Sequence, residues 1–234
     1  MATPESRDAV INTKDRADVY RSATFALACF ILFFLTVVVS QILRPDLNPV
    51  RDFLSAYALS DYGFVMTVGF VAIGIGILML GVSLWSNGIV NQLGRVGTIF
   101  LGIAGAAMMG IALFPAEIDV VDPSPISQLH DLSALIHFFA ITVGALFVSL
   151  NFRTHPLWRR YSRSETLLAV ATAMAFLLYI TIYLLQAGDV PAVPRLRPTI
   201  GAFQRLLIFF DWLWLLVTAL RMRELMGPRK SLLS

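Results

Sequence analysis

Cysteine is almost missing from this chain. Cys29 is the single one in 234 residues, so no intramolecular disulfide and no Cys-x-x-Cys metal or redox centre can form. Charge is scarce as well: 14% of residues are charged against 57% hydrophobic, too apolar a balance for an ordinary soluble domain. Long polar connections are lacking, which leaves no room for a separate soluble domain. No Walker loop, dinucleotide fingerprint or serine-nucleophile elbow occurs, and internal inverted repeats of the transporter kind are not evident.

What the chain does have is apolar length. Six runs, roughly 22–43, 63–85, 97–114, 132–152, 167–185 and 201–220, each reach the ~18 residues that a membrane helix needs. The expected fold is an all-α membrane protein, a six-transmembrane-helix bundle with both termini cytoplasmic. Residues 1–21 form a cytoplasmic lead-in, 22–222 the six-helix domain and 223–234 a cytoplasmic tail. The first apolar run is longer than a signal-peptide core and lacks a small-residue cleavage signature, so it is read as a retained helix. Orientation follows from the basic residues. With the N-terminus inside, thirteen of the 18 Lys and Arg fall on the cytoplasmic side, leaving Arg44, Arg51, Arg195, Arg197 and Arg205 outside. These charges anchor a multi-pass protein in the cell membrane and call for no nucleic acid.

Polar residues gather toward the expected outer face. In the first outer loop, Asn48-Pro49 reads as an N-cap and first helical residue. The following segment to Leu59 reads as a short helix along the membrane surface. Asp52 and Ser55 share one side of it, where Asp52 either complements the helix dipole or serves a site. Ser60-Asp61 reads as the cap and first turn of the second membrane helix. Gly102, Ala106 and Gly110, with Gly74 and Gly81, read as small-residue stripes for close helix packing. The third loop carries Glu117, Asp119, Asp122 and Asp131 with no Lys or Arg, and leads into His130.

His130 and His137 lie seven apart and share a helical face with Ser133 between them. At 1.5 Å per residue they are separated by about 10.5 Å, too far for one ion with ~2 Å Zn–N bonds while the segment is helical. His137 is expected to face the bundle interior just below the surface, His130 to cap its helix, and His155 to be interfacial. The fifth run shows no ionisable stripe beyond its tyrosines. In the loop after it, Arg195 and Arg197 can hold a lipid phosphate or pair with the acidic third loop. On the last helix Gln204 and Asp211 share a face, while Arg205 can snorkel outward. Asp211 is buried in Phe209-Phe210-Asp211-Trp212-Leu213-Trp214, where a charge costs about 2.5–3.5 kcal/mol, so it must be protonated, paired or facing water.

Taken together, the segment Asp52 to Leu59, Phe114-Pro115, His130 to His137 and Gly201-Ala202-Phe203-Gln204-Arg205 resemble a six-helix bacterial and archaeal membrane family, catalogued as domain of unknown function 998. The resemblance spans roughly residues 20–222. It implies a six-helix bundle with a shared outer polar cluster, and no established activity.

Three functions fit these residues. In the first, a lipid head group or small polar ligand binds in an outward-facing intramembrane pocket lined by Asp52, Ser55, Tyr57, His130, Ser133, His137, Gln204, Arg205 and Asp211. No cofactor is expected there, and membrane lipid is the expected partner. In the alternative, a metal-dependent hydrolase acts on lipid at the outer leaflet, with zinc held by His137, Asp52 and Asp119. The third possibility is an accessory subunit whose polar cluster only holds the fold together.

Overall fold

The computed structural model describes residues 13–59, 61–86, 89–117, 122–187 and 199–227. Six helices account for most of them: α1 (Thr13–Leu43), α2 (Gly63–Ser86), α3 (Gln92–Leu113), α4 (Pro125–Phe152), α5 (Ser162–Ala187) and α6 (Ile200–Met226). All six are long and apolar enough to cross a membrane. A short 3₁₀ helix, Leu54–Ala58, lies between α1 and α2.

Each helix packs on its sequence neighbours, and α1 closes against α6, so the six spans form a ring. The start of α1 is tied to the end of α6: Arg16 Nη2 donates to Leu225 O at 3.0 Å. Both helical ends of the chain therefore share one face, here the terminal face. The 3₁₀ helix and the start of α6 lie at the other, the loop face. Along the bundle interior run large, fully buried side chains, among them Trp158, Trp214, Tyr57, Phe30 and Met66.

The helices outrun the apolar stretches that announce them. Hydropathy ends where the lipid ends, but backbone hydrogen bonding continues until a cap stops it. α3 begins with Asn91, whose side chain accepts the Gly94 N–H at 3.1 Å. α4 begins at Ser124, whose Oγ accepts the Ser127 N–H, with Pro125 as first helical residue. His130 is therefore inside α4 and does not cap it. His137 stands about 18 Å along α4 from Pro125, mid-bundle and deeper than expected.

Close backbone approach comes from the expected Gly74, with Gly105 of α3 opposite it rather than Gly102. A Cβ on Gly105 would lie 3.0 Å from Gly74 O, so α2 and α3 cross there almost backbone to backbone. Gly102, by contrast, has nothing within 4 Å of where its Cβ would be, and Ala106 is exposed. Gly110 meets Ser133 on α4.

The loop after α1 also differs from expectation. Asn48 and Pro49 start a turn rather than a helix: Asn48 Oδ1 accepts the Val50 N–H at 2.9 Å, while its carbonyl accepts from Arg51 and Asp52. The 3₁₀ helix that follows does not lie on the membrane surface. Leu54, Ala56 and Tyr57 are all buried, so it plugs the ring from the loop face. α2 starts only at Gly63, where a side chain would strike the carbonyl of Ala58. Asp61 thus precedes the helix, and Ser60 lies outside the described residues.

Candidate functional site

Three hydrogen bonds hold the plug and the turn before it on the first turns of α6. Ala202 N–H donates to Val50 O at 2.9 Å. Leu54 N–H donates to Gln204 Oε1 at 2.8 Å, replacing the side-chain cap that Phe53 does not provide. Arg205 Nη1 donates to Asp52 O at 2.6 Å and to its own helix at Gly201 O. Gly201 permits this approach: a Cβ there would sit 2.5 Å from Asp52 O and 2.9 Å from Arg51 C.

Behind the plug lies an inner cavity of about 40 Å³. Its polar lining is Ser55 from the 3₁₀ helix, His130 and His137 from α4, and Gln204 and Asp211 from α6. α1, α2 and α3 add only apolar lining, including Phe33, Phe70, Ile73 and Met108. Water needs roughly 10–15 Å³ by this kind of measure, so the space suits a very few small groups. A second space of about 400 Å³, the vestibule, opens between α4 and α5 toward the loop face. Ser55, His130, Ala134, Phe138 and Gln204 line both spaces and form the boundary between them.

The histidines are oriented by the backbone of α3 and its C-cap. Nδ1 of His130 lies 2.7 Å from Phe114 O, and Nδ1 of His137 lies 2.9 Å from Ala104 O. Asp211 has no such support. It is 4% exposed, and neither carboxylate oxygen has a hydrogen-bond partner among the described residues. It lies about 16 Å along α6 from Ile200, at nearly the depth of His137 on α4.

Of the nine residues expected to line one pocket, five do: Ser55, His130, His137, Gln204 and Asp211. Asp52, Tyr57 and Arg205 form a separate clamp at the loop face. The Arg205 guanidinium does not snorkel outward; it is half-buried, 5.6 Å from the Tyr57 ring centre, because the carbonyl of Asp52 holds it. The Asp52 carboxylate turns away to Arg51 Nε at 2.8 Å and to the Asn48 N–H at 2.7 Å. The hydrogen bond from Arg51 is the main reason its pKa falls below the ordinary aspartate value. Ser133 is not in the lining either. It is rotated about 60° from His130 and about 40° from His137, so it meets Gly110 of α3 and donates to Leu129 O, while Ala134 takes the place at the cavity.

Among the described residues no three His, Cys, Asp or Glu side chains gather where an ion could be held. Of the expected zinc set, Asp52 is turned to Arg51, and Asp119 lies outside the described residues, as do Arg195 and Arg197. His155 is half-buried in the loop between α4 and α5, where burial lowers its pKa.

α5 holds a buried ionisable group that its apolar run conceals. Glu165 is fully buried on the inward face; its Oε2 accepts from Thr218 Oγ1 of α6 at 3.0 Å. Ser149 of α4 donates to the Glu165 carbonyl and accepts from Trp214 Nε1 at 2.9 Å. Glu165, Thr172 and Tyr179 recur every seventh residue and are all buried, the spacing that would have marked this face.

A family model described as "Protein of unknown function (DUF998)" matches residues 27–221. No curated protein matches, and no solved structure matches.

Proposed function

This chain belongs to the DUF998 family of membrane proteins of unknown function, and we propose that it binds a small amphiphile, its polar end in the inner cavity and its apolar part in the vestibule. The observation that carries this is Asp211: a carboxylate deep in a six-span bundle, facing a cavity, without a hydrogen-bond partner among the described residues. A carboxylate at such depth costs about 2.5–3.5 kcal/mol on insertion scales. A group that costs this much and, among the described residues, ties no helices together is there for what enters the cavity.

The vestibule supports the second half of the reading. Its volume of about 400 Å³ falls within the ~300–1,000 Å³ typical of small-molecule pockets. Phe53, Phe138, Phe176, Tyr179 and Tyr183 supply aromatic walls. Leu132, Leu135 and Leu184, also in the lining, are exposed on the bundle flank, so a chain can slide in from the surrounding lipid. The basic residues near the terminal face favour placing that face in the cytoplasm, with the vestibule toward the outer leaflet of the cell membrane. No observation among the described residues favours the hydrolytic alternative.

The test is to block the passage. Ala134 lines both spaces, so Ala134→Trp fills the boundary. Protein extracted directly into lipid nanodiscs should carry a co-purifying amphiphile, detected by mass spectrometry, and Ala134→Trp should lose it while eluting as a folded particle. Equal retention by the folded variant refutes the reading.

A further inference from the structure

The hydrogen bonds around the inner cavity specify the charge of what fits it. A backbone carbonyl only accepts, so Nδ1 carries the hydrogen in both His130 and His137. In a neutral imidazole Nε2 is then an acceptor. Asp211 adds two oxygens without partners among the described residues. Gln204 Oε1 is occupied by the Leu54 N–H, leaving the Gln204 amide as donor, and the Ser55 hydroxyl can play either part. Acceptors predominate.

The vestibule has the same bias. Its carboxylates are Glu117 and Asp131, and among the described residues no Lys or Arg lines either space. Arg205, one residue from Gln204, is held outside both on the Asp52 carbonyl. Among the described residues a phosphate would meet three carboxylates and no guanidinium. The cavity of about 40 Å³ also has no room for a sugar, but accepts an ammonium group with a water beside it.

We propose that the inner cavity is a cation site and that the amphiphile is an amine, whose ammonium N–H groups meet the Asp211 carboxylate and the imidazole acceptors. This rests on the binding reading above, from which it is separable by experiment. Wild-type protein in phosphatidylcholine nanodiscs at neutral pH is titrated with dodecylamine, dodecanol, monododecyl phosphate and methylammonium, with thermal unfolding as readout. Dodecylamine should stabilise most, and Asp211→Asn should bind it about 10–100-fold more weakly, the worth of a hydrogen bond to a charged group. Nonspecific partition into the nanodisc is the same for both proteins, so the difference reports the site.

If dodecanol or the phosphate binds as tightly as the amine, the cation assignment falls and the amphiphile reading stands. If methylammonium binds as tightly as dodecylamine, the cation site stands and the amphiphile reading falls. If none of the four binds, both fall. The wild-type series decides these outcomes even if the Asp211→Asn protein does not fold.

Discussion

Replacing Gln204 by leucine should loosen the plug at one backbone group. The side chain of Gln204 is buried, and its Oε1 accepts the Leu54 N–H at 2.8 Å across 150 residues of sequence. Leu54 is itself only 2% exposed, so water cannot replace the lost acceptor without the segment opening. Leaving a buried donor unsatisfied costs about 1–3 kcal/mol. Where local opening limits exchange, that is an acceleration of the Leu54 amide by about 5–150-fold. Gln204→Glu keeps an acceptor in place and should keep the protection. Amide exchange measured residue by residue by NMR in nanodiscs reads this directly. The Ala202 amide, bonded to Val50 O at 2.9 Å, serves as internal reference. It stays protected if the loss is confined to Leu54, and exchanges faster if the whole loop comes away. Unchanged Leu54 protection in a folded Gln204→Leu protein would refute the idea that α6 caps the 3₁₀ helix.

Gly201→Ala should be harder to absorb, because the new Cβ meets the backbone of Arg51 and Asp52 rather than a movable side chain. An overpacking cost of about 1–3 kcal/mol should lower the unfolding midpoint and expose the Arg51–Asp52 bond to trypsin; wild-type behaviour in both assays would contradict the contact. Asp211→Leu should do the reverse. It removes an unpaired carboxylate beside a cavity with room for part of the larger side chain, so the protein without ligand should gain stability while losing amine binding. A clear drop in its unfolding midpoint would show that Asp211 has a structural partner. Asp52 sets a pH limit on the loop. Hydrogen bonds from Arg51 and the Asn48 N–H depress its pKa, so its contribution is fully present above the unfolded value of ~3.9 and is lost as pH falls through the lower folded value. Wild-type stability should therefore fall off more steeply below about pH 4 than that of Asp52→Asn. Parallel curves would mean the ion pair does not act.

Six membrane spans, the membership of the family, the inward face of His137 and the costly position of Asp211 were all legible in the chain. Each depends on how apolar a stretch is or on positions seven apart along one helix, and both are one-dimensional quantities. How the polar residues divide was not legible. Ser133 and His137 belong to one α4 face by spacing, yet about 40° of rotation sends one to Gly110 and the other to the cavity. Glu165 was not legible because it stands at the polar end of an apolar run, and its hydrogen bond from Thr218 comes from a distant helix, α6. The plug looked like a surface helix because its apolar residues fit lipid and protein equally well; two side chains and a backbone N–H of α6 draw it inward. Length and polarity along the chain determined that it crosses a membrane six times with costly groups inside. Which of those groups share a cavity was decided by the rotation and depth at which six helices lock together, and that depends on contacts between residues as distant as Leu54 and Gln204.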